Sequence, residues 1–184
     1  MCVDEKPSMS VPEWLVLAIL SQKSMHGFAL AQLTAPDGEL GQVWHIPKAV
    51  IYRAIGRLLE AGLIEPEGTE PGLGPQRTVY AATPDGCGAV RRWLRTPVEH
   101  VRDIRSQLLL KLALLDRIGE DPADLLLRQR EVLLPIARAL DEAMRSRSAA
   151  GGGFDVTLLA WRKATAAAAL DFIDMITDTA SGRS

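Results

Sequence analysis

Lys48, Tyr52, Arg53 and Arg57 follow one another at spacings of four, one and four residues. The residues among them, Val50, Ile51, Ala54, Ile55, Leu58 and Leu59, are apolar. On an α-helix this pattern gives one greasy face for a core. The opposite face holds three cations and a phenol, completed by Ala49, Gly56 and Glu60. The chemistry open to such a face is the binding of a polyanion. An arginine fork reads guanine O6 and N7 bidentately, whereas lysine and a tyrosine hydroxyl suit phosphate oxygens. Arg77, the one cation in the strand-like run 76–82, is a further candidate. On pattern alone, an ordinary solvated helix face accounts for these residues equally well.

Other chemistries find no support. None of the three histidines, His26, His45 and His100, has a carboxylate or cysteine at a telling spacing. No glycine-rich phosphate loop follows a strand, and there is no nucleophile elbow. Asp171, Asp174 and Asp178 can share a helical face, but a solvated flank explains them better. Cys2 and Cys87 lie 85 positions apart and form no metal or redox motif. Cys87 reads as a buried thiol at the start of a helix. The sequence therefore points away from catalysis, metal and cofactor.

The elements that must carry the cationic face can be read around it. Ser10 and Glu13 fit a capping box with Pro12 in the first turn, opening a buried helix to about Leu20. Gly27 separates it from a short helix, 28–34, which Pro36-Asp37-Gly38 ends. His26 reads as part of that helix opening, through packing and a backbone hydrogen bond. Pro47 is placed as the first residue of the third, cation-bearing helix, and Gly62 closes it. A β-hairpin is expected next, from Leu63-Ile64-Glu65 and 76–82, around a loop with Gly68, Pro71, Gly72, Gly74 and Pro75. Thr83-Pro84 then reads as N-cap and first position of a fourth helix reaching about Leu94. Three helices, a two-stranded hairpin and a helix are the order of a winged helix-turn-helix domain, whose third helix enters the major groove.

Pro97 marks a boundary, and beyond it no strand is expected. One helix is predicted from about Val101 to Ile118 and a long one from about Asp121-Pro122, bent at Pro135. A turn follows over 146–153. In the last helix Phe154, Leu158, Trp161, Thr165, Ala168, Phe172 and Met175 alternate spacings of four and three, a heptad seam that packs on another long helix. The intramolecular alternative is the preceding helix. Two large aromatics are generous for a small helical appendage, which favours a homodimer. The fold class expected is mainly α: a winged helix-turn-helix domain with a small β-hairpin wing over 1–96, then an all-helical dimerisation domain over 97–184.

Composition sharpens this picture. The 184 residues carry 21 Lys and Arg against 23 Asp and Glu, a net charge of −2. Residues 1–96 hold 9 against 10, so even that half carries −1. Non-specific coating of nucleic acid needs a large positive surplus and is excluded. Binding must rest on a few placed cations. The apolar run Trp14–Leu20 is too short for a bilayer of about 30 Å, and no charged segment or cleavage site frames it as a signal. No membrane partner and a cytoplasmic location are expected.

Segments 51–64 (IYRAIGRLLEAGLI), His26-Gly27-Phe28, 74–80 (GPQRTVY) and Thr83-Pro84-Asp85-Gly86 together resemble the PadR-like transcriptional regulators. Arg102-Asp103 and Leu110-Lys111-Leu112 are similar to the start of that family's helical carboxy-terminal domain. The resemblance runs from about residue 10 to 115. It implies a homodimeric, usually repressive protein that binds promoter DNA and, in some members, is released by a small hydrophobic or phenolic effector. Tyr52 is then the leading DNA contact, flanked by Lys48, Ala49 and Arg53, with Arg57 further along and Arg77 on the wing. The dimer would form through Phe154, Leu158, Trp161, Ala168, Phe172 and Met175. Two features depart from the family: Pro47-Lys48-Ala49 replaces a small polar or glycine-containing opening, and Glu65, Glu67 and Glu70 make the first wing strand acidic. The alternative is a winged-helix protein-interaction module lacking DNA binding.

Overall fold

A computed structural model describes residues 9–71, 76–147 and 153–181 of the chain. Cys2, the loop residues Gly72, Gly74 and Pro75, and residues 148–152 of the expected turn lie outside them. The described residues form seven α-helices and one small antiparallel sheet. They fall into two compact units, 1–94 with 109–119 and 95–108 with 120–184.

In the first unit, helix α1 (Val11–Gln22) is central, and Leu15 to Leu20 are buried without interruption. Its start is held as the capping box requires: the Ser10 backbone N–H donates to Glu13 Oε2 at 2.9 Å. A two-residue strand β1 (Met25–His26) precedes α2 (Gly27–Leu33). Helix α3 (Lys48–Glu60) has Pro47 as its N-cap, one position earlier in role than the sequence reading. A Schellman motif ends α3, with Gly62 at φ +66°, Gly62 N–H on the Leu59 carbonyl and Leu63 N–H on the Leu58 carbonyl, both at 3.0 Å. Only glycine takes that φ without strain, so Gly62 turns the chain directly into the wing.

The wing consists of β2 (Ile64–Glu70) and β3 (Arg77–Ala82), paired from Ile64↔Ala82 to Glu70↔Arg77 with an irregularity between Pro66 and Gly68. β1 adds to the other edge of β3, giving the order β1-β3-β2. The expected two-stranded hairpin is thus a three-stranded sheet; two residues are too few to show a period of two. Helix α4 (Pro84–Arg95) starts at Thr83, whose hydroxyl accepts from Gly86 N–H at 3.2 Å and donates to the Gly62 carbonyl at 2.9 Å. Helix α5 (Leu109–Arg117) packs in this unit against α1. The continuous helix expected over 101–118 is instead a 3₁₀ turn (Val101–Asp103), a π turn (Ile104–Leu108) and α5. Over so few residues, apolar spacing does not separate 3.0, 3.6 and wider repeats.

In the second unit α6 (Ala123–Arg147) packs on α7 (Phe154–Ser181). Leu125, Leu126, Leu133, Ala166, Ala169 and Ile173 are buried there. Helix α6 continues through Pro135. A buried amide pair joins the segment after α4 to α6: Val98 N–H donates to Gln129 Oε1 at 2.7 Å, and Gln129 Nε2 donates to the Val98 carbonyl at 2.8 Å. Arg130–Asp174 at 2.7 Å and Lys163–Asp141 at 2.9 Å tie α6 to α7.

Candidate nucleic-acid interface

The apolar face of α3 does what its spacing requires. Ile51, Ala54, Ile55 and Leu58 are buried against α1 and α2. That leaves Lys48, Ala49, Tyr52, Arg53 and Arg57 exposed on the other side. Tyr52 is 47% exposed. Its ring lies against the start of α2 so closely that a Cβ on Gly27 would stand 2.9 Å from Tyr52 Cε1. The absence of a side chain at Gly27 is what admits the ring there.

Two of the candidates, Lys48 and Arg77, converge on Phe28, a residue that the sequence reading did not select. Lys48 Nζ lies 5.4 Å from the Phe28 ring centroid and 5.9 Å from that of Tyr52. The Arg77 guanidinium carbon lies 4.5 Å from the Phe28 centroid. Both cations are within cation–π range of one ring, and they come from different elements, α3 and β3. The signal for Phe28 was present in His26-Gly27-Phe28, but contact with residues 20 and 49 positions away has no periodicity to reveal it.

Arg57 is held elsewhere. Its Nη1 donates to Glu13 Oε1 at 2.9 Å, tying the third turn of α3 back to the start of α1. Burial alone would raise the Glu13 pKa. The Ser10 N–H and the Arg57 guanidinium outweigh that and hold the carboxyl below its usual range. Arg53 stays on the exposed face of α3, one residue beyond Tyr52.

The histidines have structural partners where their contacts are described. His26 caps α2, its Nδ1 accepting from Ala29 N–H at 3.0 Å, and its Nε2 lies 3.7 Å from Glu70 Oε2. His45 Nδ1 is 3.0 Å from the Thr34 carbonyl. Cys87 is half-buried, with Sγ 4.0 Å from the Ala82 carbonyl. Trp14 and Trp93 stack face to face at 5.0 Å, and Lys111 Nζ lies 4.9 Å from the Trp93 centroid. Among the described residues no group of His, Cys, Asp and Glu is arranged to hold a metal ion. Among the same residues no helix is long and apolar enough to cross a membrane.

The α7 seam divides. Toward α6 the helix uses Ala166, Ala169 and Ile173. Phe154 at 78% and Trp161 at 66% are exposed, as are Leu158, Ala168 and Met175. Thr165 and Phe172 are half-buried at its edge.

Residues 16–92 match the model of the transcriptional regulator PadR-like family. No curated protein matches the sequence. Among solved structures the chain is similar to Bacillus subtilis PadR in complex with operator DNA, at 17% identity and a TM-score of 0.47, over 94% of this chain and 99% of that one. It is similar to smu.1604c from Streptococcus mutans UA159 at 18% identity and a TM-score of 0.42, over 89% and 96%. It is also similar to Bacillus subtilis PadR in complex with p-coumaric acid at 17% identity and a TM-score of 0.40, over 96% and 98%.

Proposed function

We propose that this chain, PadR-like over residues 16–92, is a cytoplasmic transcriptional repressor that binds a palindromic operator as a homodimer. Residues 1–96 serve as the DNA-binding domain and 97–184 as the dimerisation domain. The observation that carries the reading is the convergence of Lys48, Tyr52 and Arg77, from α3 and the wing, on one surface. In a winged-helix docking α3 lies in the major groove, with Tyr52 and Arg53 at base edges and phosphates and Lys48 at the helix start. Ala49 adds a small apolar contact able to meet a thymine methyl. Arg57, engaged with Glu13, contributes through its remaining guanidinium nitrogens at the groove's far side. Arg77 reaches the backbone from the wing.

The dimer is proposed to form through the exposed stripe of α7, Phe154, Leu158, Trp161, Ala168 and Met175, with half-buried Phe172 at its edge. A heptad-spaced apolar stripe of this kind is what a second long helix covers. Two copies then present two α3 helices one helical turn of DNA apart or a multiple of it, which accounts for a palindromic site. With a net charge of −2, the protein gains little from random DNA, and selectivity falls to the placed side chains.

The test is a mobility-shift titration of the protein on its own upstream region at two salt concentrations, with Tyr52→Ala and Arg53→Ala beside the native protein. Specific binding by the native protein, weakening steeply with salt and lost in both variants, is expected. A native protein that shifts no upstream fragment overturns the reading and favours a protein-interaction module. The same titration with an added small phenolic compound tests effector release.

A further inference from the structure

Phe28 is an exposed aromatic at the second position of α2, beside the buried Gly27. Two cations from other elements lie over its ring: Lys48 Nζ at 5.4 Å and the Arg77 guanidinium carbon at 4.5 Å. Two like charges drawn to one place repel, and the negative face of an aromatic ring offsets that repulsion. The ring is itself fixed. His26 caps the helix that carries it and packs against it with ring centroids 6.2 Å apart. Glu70, the Cα partner of Arg77 across the wing, lies instead within 3.7 Å of His26 Nε2.

Lysine and arginine side chains lose rotamer freedom when they grip a phosphate, and ordering them beforehand lowers that cost at binding. We infer that Phe28 is a positioning residue of the DNA-binding surface, its ring holding Lys48 and Arg77 together so that recognition helix and wing engage the phosphate backbone as one unit. This rests on the DNA-binding reading above. It assigns to α2 a direct part in ordering the interface, beyond supporting α3.

The experiment measures fluorescence anisotropy of labelled upstream DNA with the full chain over a range of salt. Phe28→Leu keeps apolar bulk and removes the ring; Phe28→Tyr keeps the ring; Phe28→Met is a second ringless variant. Circular dichroism confirms that each is folded. Two contacts of the strength of exposed cation–π pairs predict about a fivefold to thirtyfold loss of affinity in the ringless variants. Their salt dependence should also be shallower than native, with Phe28→Tyr close to native. Combined with Lys48→Met and Arg77→Met, Phe28→Leu should cost nothing further, because the groups it orders are gone. An equal loss in that background overturns the inference and makes Phe28 a direct DNA contact or a packing residue. Native affinity in Phe28→Leu overturns it as well. A native protein that binds no upstream DNA refutes the function reading; native binding with an indifferent Phe28→Leu refutes this inference alone.

Discussion

Lys111 lies on α5 at 2% exposure, with Nζ 4.9 Å from the Trp93 ring centroid, and burial pushes its pKa down from 10.5 to about 8. A base whose folded-state pKa is depressed destabilises the fold while it is charged. That cost is fully present below about pH 8 and is relieved as pH rises from there toward 10.5. The gap of 2.5 units between those two values corresponds to about 3 kcal/mol in full, at about 1.4 kcal/mol per unit. About 1 kcal/mol of it is recovered between pH 7 and pH 9. Lys111→Met keeps the length of the chain and removes the titrating group. The variant should therefore lack the native gain of about 1 kcal/mol between pH 7 and pH 9, its stability changing less over that range. Urea unfolding at pH 7, 8 and 9, at one fixed protein concentration so that any subunit dissociation contributes equally, measures the two slopes. Parallel pH profiles for the two proteins would refute the reasoning.

Three further outcomes are expected. Gly27→Ala places a Cβ 2.9 Å from Tyr52 Cε1 and 3.1 Å from Ile55 Cδ1, so the Tyr52 ring must swing away; thermal unfolding should show a loss of about 1–2 kcal/mol, and DNA affinity should fall with it. A variant with native DNA affinity would show that the position of Tyr52 is immaterial. Glu13→Gln removes a carboxylate whose pKa is held below its usual 4.5, so its contribution is present above that pH and lost as pH falls through the folded value. Native and variant should differ by about 1 kcal/mol at pH 7, and the gap should narrow progressively as pH falls below 4.5; a gap that does not narrow in acid would exclude the carboxylate as its cause. Trp161→Glu puts a charge into the exposed α7 stripe; light scattering should return twice 20.0 kDa for the native chain and a monomer near 20.0 kDa for the variant. A variant still dimeric would place the interface elsewhere.

Much of the first unit was legible because its signals are local. A Ser and Glu three apart, a glycine past the last apolar residue and a Thr-Pro pair each satisfy or remove backbone groups within one turn, so type and spacing suffice. The same holds for the two faces of α3, which the helical repeat imposes. The interruption of 101–118 by 3₁₀ and π turns was not legible, nor was β1: the first leaves the apolar spacing nearly unchanged, and the second is a strand only because β3 lies beside it.

By itself, then, the sequence determined the order of the main helices and the two long wing strands, the cationic face on α3 and the heptad stripe on α7, since each follows from covalent neighbours and a fixed repeat. Tertiary structure alone decided which side chains meet. It drew Lys48 and Arg77 onto Phe28, turned Arg57 back to Glu13, and gave α6 the alanine face of α7 while leaving Trp161 outside. Those outcomes depend on distances between segments far apart in the chain, and such distances are set by how whole helices and strands pack, which no local pattern encodes.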